Sequence, residues 1–111
     1  MSKYGSRKVV VDGITFDSKK ESKRYCELKL LERCGKIKDL ELQHKFELQP
    51  SFKKKGRTIR AITYVADFVY FDLETMRNVV EDVKGYKTEV YRLKKKMFEY
   101  QYPELTIVEV K

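Results

Sequence analysis

With 111 residues the chain has room for a single domain, 1–111, and no run approaches the ~18 apolar residues of a membrane-spanning helix. Its 25 lysines and arginines stand against 17 acids, a formal charge of +8, so its far field attracts polyanions, with nucleic acid ahead of an anionic membrane. A hydrophobic content of 41% with 13% aromatics suffices for a packed core, while 38% charged residues exceeds the usual quarter and predicts a heavily charged surface.

Met1 to Arg7 lacks the apolar stretch of a secretory signal, which predicts a cytoplasmic protein. Over Lys8 to Phe16, beta-branched Val9-Val10-Val11 and Ile14-Thr15-Phe16 flank Asp12-Gly13, the pattern of a short hairpin. Ser18 with Glu21 has capping-box spacing, and Tyr25, Leu28 and Leu31 recur at helical spacing until Gly35, predicting a helix over about 18–34. From Ile37 to Pro50 the period becomes two: Leu40, Leu42, His44, Phe46 and Leu48 on one face, Glu41, Gln43, Lys45 and Glu47 on a wet one. A basic loop over 51–57 leads to a second long strand, Ile59 to Phe71, then a turn over 72–78 and a short third strand, Val79 to Val83. Thr88 caps a second helix over about 88–101 with Val90, Leu93, Met97 and Phe98 as its core stripe; Pro103 stops it, and Leu105 to Val110 is the last strand. A helical crossover is the usual way to make a parallel pair, so the last strand is expected parallel to the third, in a mixed α/β sheet.

Cys26 and Cys34 suit reduced thiols, because only His44 could join them in a zinc site. His44 alternates with Leu42 and Phe46, as a core or edge residue does. No phosphate-cradling glycine motif is present.

The chemical conflict lies in the strands. Tyr64 to Phe71 is apolar on both faces except for Asp67, and a carboxylate there needs a reason. In the next strand Asp82 and Lys84 share a face with Val80. Two carboxylates on neighbouring strands suit a hard cation such as Mg2+ or Mn2+, and a lysine beside them suits charge neutralisation at a phosphate. The bland alternative pairs Asp67 with a cation across the sheet and leaves Asp82 solvated. Lys53, Lys54, Lys55 and Arg57 in the basic loop, and Arg92, Lys94, Lys95 and Lys96 on the second helix, are candidate phosphate contacts, while Tyr86 and Tyr91 could stack on unpaired bases.

Asp67, followed about fifteen residues later by Asp82-Val83-Lys84 within the order helix, three strands, helix, strand, resembles the PD-(D/E)xK nuclease superfamily. The strings Asp12 to Glu21, Tyr64 to Phe71 and Val80 to Gly85 are similar to small phage-type members related to Holliday-junction resolvases. The resemblance implies a restriction-endonuclease-like core (αβββαβ) preceded by the hairpin. It further implies Glu21, Asp67, Asp82 and Lys84 as catalytic residues, with Glu21, Asp67 and Asp82 on Mg2+ or Mn2+. Ala66 stands where the family name has proline. The implied function is a metal-dependent endonuclease on DNA, with branched or junction DNA as substrate in phage recombination or replication, in the cytoplasm of a bacterial host. Paired cuts imply a homodimer, and a targeting protein is a possible partner. The alternative is a non-catalytic DNA-binding recombination accessory protein on the same fold; an RNA-binding module lacks the aromatic strand motif of the common RNA-recognition fold.

Overall fold

Local turn chemistry and capping set the course of the chain in the computed structural model, which describes residues 8–83 and 87–111. Strands β1 (Val9–Val11) and β2 (Ile14–Phe16) form the expected hairpin. Asp12 and Gly13 take the two left-handed positions, φ 52° and 74°, of a tight turn whose twist matches that of the strands. Helix α1 (Lys19–Arg33) starts where the Ser18 hydroxyl accepts the Glu21 N–H at 3.1 Å. It ends at left-handed Gly35, where the Lys36 N–H reaches the Leu31 carbonyl and the Gly35 N–H the Glu32 carbonyl, closing a Schellman motif.

The long strands β3 (Ile37–Gln49) and β6 (Ile62–Asp72) pair antiparallel, β7 (Arg77–Val83) follows β6, and helix α2 (Glu89–Gln101) carries the chain back to β8 (Ile107–Val110). The main sheet has the order β3-β6-β7-β8, with β8 parallel to β7 as expected for a helical crossover. Thr88 caps α2 by accepting the Tyr91 N–H. No helix among the described residues is long and apolar enough to cross a membrane.

Several expectations need correction. The basic segment is not a plain loop: β4 (Phe52–Lys54) and β5 (Arg57–Ile59) form a separate two-stranded hairpin around left-handed Lys55 and Gly56. The second long strand therefore starts at Ile62. On α2, Val90 and Leu93 are 62% and 59% exposed, and the buried residues are Tyr91 and Phe98, with Met97 packed against them. Tyr91 outcompetes the aliphatics because its ring reaches the core while its hydroxyl donates to Glu109 at 2.7 Å; buried so, it is no stacking platform.

Two hydrophobic clusters occupy the two faces of the sheet. On the α2 side Leu48, Tyr64, Ala66 and Val80 meet Tyr91, Phe98 and Ile107. On the α1 side Phe68, Tyr70 and Ile37 meet Tyr25, Leu28 and Phe16. Successive even residues of β6 thus change sides between Ala66 and Phe68, and those of β3 between Leu42 and Phe46. The single wet-and-dry alternation expected for β3 is really two half-strands rotated about left-handed Gln43, φ 53°. Asp67 occupies the matching position on β6.

On the α1 side the sheet also buries a charge. Glu81, 1% exposed, receives Nε and Nη2 of Arg24 at 2.7 and 2.6 Å and the hydroxyl of Tyr70. Such a fork is strong because both carboxylate oxygens are matched, and it raises the proton affinity of Arg24 further. Burial, and then the Glu81 carboxylate, push Tyr70 above its ordinary range. Arg24→Ala should destabilise the fold by about 3 kcal/mol in urea unfolding, because it strands a buried carboxylate. Arg24→Met combined with Glu81→Leu should recover most of that loss.

Candidate active site

One rung of the sheet carries four polar residues. The β3–β6 register, with Leu42 opposite Phe68 and His44 opposite Ala66, sets Gln43 at the level of Asp67. The β6–β7 ladder ends at Phe68 opposite Glu81, and the next step sets Asp67 at the level of Asp82. Asp82 in turn pairs with Glu109 of β8. Apart from Glu81 with its Arg24 partner, the other buried residues of this sheet are apolar, so the rung is a line of polar groups across a largely hydrophobic floor.

Three carboxylates from three elements lie near one another: the Gln43 amide links Glu21 to Asp67, and Asp82 is the neighbour of Asp67 on β7. Glu21, in the first turn of α1 and only 8% exposed, accepts Gln43 Nε2 at 3.2 Å, and the same amide donates to Asp67 Oδ1 at 3.3 Å. Asp67 Oδ2 accepts the Val83 N–H at 2.8 Å, a bond available because the ladder has ended one step earlier. Asp82, 2% exposed, accepts the Tyr64 hydroxyl at 2.5 Å. Burial and then the Asp82 carboxylate lift Tyr64 well above its ordinary range, so it stays a donor.

Asp67 is pushed from its ordinary 3.8 up to about 7, first by burial, then by hydrogen bonding and charge repulsion from Asp82 and by the charge of Glu21, against the stabilising Val83 amide. All donors are hard carboxylate oxygens, the type Mg2+ and Mn2+ take, and a cation would relieve the repulsion that raises Asp67. Among the described residues no group of three or more His, Cys, Asp or Glu side chains is arranged to hold a metal ion; the Gln43 amide links Glu21 and Asp67.

Next along the rung, Glu109 accepts Lys87 Nζ at 2.9 Å and the Tyr91 hydroxyl, with Lys95 Nζ at 3.5 Å. Lys87 first, then Tyr91, holds it down to about 2. Cations thus hold Glu109 down, whereas burial and neighbouring carboxylates push Asp67 up.

The structure thus brings Glu21, Asp67 and Asp82 together. Lys84 lies outside the described residues, as does Tyr86. Lys53, Lys54, Lys55 and Arg57 sit on the separate hairpin, away from the carboxylates in the chain. On α2, Arg92 and Lys96 are exposed and Lys94 half-buried, whereas Lys95 is engaged by Glu109. His44 packs on Phe46 at 4.6 Å between ring centroids and lies 2.6 Å from Glu41, a half-buried strand residue as expected. Cys26 and Cys34 are free and exposed.

Sequence reasoning missed Gln43, Tyr64 and Glu109. Gln43 sits among the alternating polar residues of a wet face, and nothing in its neighbourhood signals a left-handed backbone. Tyr64 had a weak signal, a hydroxyl in an apolar strand that needs a partner.

The family model described as "Protein of unknown function (DUF1064)" matches residues 1–111. No curated protein and no solved structure matches the chain.

Because the folded state holds the Asp67 proton more tightly than the unfolded chain, this group's contribution to stability is full below about 4. It is lost as pH rises through about 7. In chelator, the melting temperature should fall over that window, and Asp67→Asn should flatten the fall.

Proposed function

The chain belongs to the DUF1064 family, and we propose that it is a metal-dependent endonuclease of PD-(D/E)xK type acting on DNA. The observation that carries the reading is the meeting of Glu21, Asp67 and Asp82, from a helix and two adjacent strands, in a cluster where burial first, and then the neighbouring carboxylates, lift Asp67 to about 7. The order of α1, the three strands β3, β6 and β7, the crossover helix α2 and parallel β8 supports a restriction-endonuclease-like core. A net charge of +8 supports a polyanionic substrate.

In this reading Glu21, Asp67 and Asp82 hold Mg2+ or Mn2+. When bound, the ion polarises the scissile phosphate and supplies a hydroxide nucleophile at neutral pH. The chain's own groups do the positioning. The Val83 N–H and the Tyr64 hydroxyl fix one oxygen each of Asp67 and Asp82, so the carboxylates present their remaining lone pairs in a set direction. Lys84, two residues after Asp82, neutralises charge developing on the phosphate. Arg92, Lys94 and Lys96 contact the flanking backbone, with Lys95 tied more closely to Glu109.

Branched or junction DNA is the proposed substrate, in phage recombination or replication, and paired cuts on such a substrate call for a twofold homodimer. A targeting protein would add specificity. The competing reading, a non-catalytic DNA-binding accessory protein, has less use for carboxylates that repel phosphate.

Labelled four-way junction, flap, duplex and single-stranded DNA should be incubated with Mg2+ or Mn2+. Wild type should cut at least one of them, and Asp82→Ala and Lys84→Ala should each lower the rate at least about a hundredfold. Binding of these DNAs with no cleavage in either metal would instead establish the accessory protein.

A further inference from the structure

The β4–β5 hairpin lacks a folding rationale of its own. All six of its strand residues are exposed, and an isolated two-stranded hairpin is marginal in water. Its register sets Lys54 directly opposite Arg57, a like-charge pair that destabilises the ladder. Lys55 takes a left-handed turn position, φ 50°, that disfavours a side chain. Residues 51–60 hold five cations, Lys53, Lys54, Lys55, Arg57 and Arg60, and no acid. None of the five forms an ion pair with a described residue. A segment held against its own charge is complementary to a polyanion.

The faces of the hairpin narrow the choice. Phe52 opposite Ile59 and Lys54 opposite Arg57 share one face; Lys53 opposite Thr58 makes the other. Phe52 and Ile59 stay 44% and 39% exposed, an apolar base beneath a cationic tip. A two-stranded ribbon fits the major groove of duplex DNA, about 12 Å wide, where cations meet phosphates and apolar side chains meet thymine methyls. A single-strand site would instead need a row of aromatic platforms, and the hairpin has one aromatic. Ten residues separate Arg57 from Asp67, at most about 33 Å of extended chain, close to one duplex turn of about 34 Å.

We propose that the β4–β5 hairpin is a ribbon arm that enters the major groove of duplex DNA within about one helical turn of the carboxylate site. This rests on the preceding section for DNA as the partner but not for cleavage. No hairpin strand residue is buried, so its removal should leave the fold intact.

The test is binding by fluorescence anisotropy in chelator, from about 50 to about 200 mM salt, to a labelled duplex and to its single strand. Lys54→Gln with Arg57→Gln should reduce the slope of log affinity against log salt by about 1.8 for the duplex, two contacts at about 0.9 each. Single-strand affinity should stay within about twofold. Replacing residues 52–59 by a short Gly-Ser link should reduce the slope further at unchanged melting temperature; if that chain fails to fold, the double substitution alone decides. An unchanged duplex slope, or an equal loss on the single strand, would overturn the groove assignment. Cleavage is read separately, so a working hairpin on a non-cutting protein and a cutting protein with an idle hairpin are distinguishable.

Discussion

The burial of carboxylates at a sheet is the constraint on which the rest of this structure depends. Gln43, Asp67, Asp82 and Glu109 share one rung, and a hydrophobic floor tolerates such a line only if every member finds partners. The partners come from all sides: Glu21 of α1 through the Gln43 amide, the Val83 N–H, the Tyr64 hydroxyl, and Lys87, Lys95 and Tyr91 around Glu109. Strands β3 and β6 change faces at this level, and the β6–β7 ladder ends beside it. The left-handed backbone at Gln43 is the local cost, and strain of this kind concentrates at functional sites.

The remainder of the fold supports that rung. The Arg24–Glu81–Tyr70 network on the opposite face ties α1 to β7 one residue before Asp82, so the helix that brings Glu21 is bonded to the strand that brings Asp82. The Schellman turn at Gly35 sends the chain directly into β3, whose seventh residue is Gln43. On the other face, Phe98 and Ile107 pack beneath Tyr64 and Val80 and fix the floor from which Asp82 rises.

Much of this was legible in the sequence because local chemistry writes it there. Ser18 with Glu21, Asp12-Gly13, Thr88 and Pro103 mark boundaries that hold to within a residue or two, and the order of elements implies the parallel last pair. Asp67 was legible as the one acid in an apolar strand. Less visible was anything that depends on a neighbour in space. The period-two pattern of β3 runs through Gln43 without a break, so the exchange of faces leaves no trace in it. Val90 and Leu93 outrank tyrosine in burial statistics, yet Tyr91 won because Glu109 met its hydroxyl. Lys55-Gly56 is a weaker turn signal than Asp-Gly or Asn-Gly, and the basic hairpin looked like a loop.

Whether the carboxylate cluster is a cation site is decided most directly by calorimetric titration of the chelator-stripped protein with Mn2+, without DNA. The predicted result is saturable binding to wild type that Asp67→Ala and Asp82→Ala each abolish while the circular dichroism spectrum is retained. Absence of saturable binding to wild type, or binding that both substitutions leave unchanged, would contradict a metal-holding role for Glu21, Asp67 and Asp82.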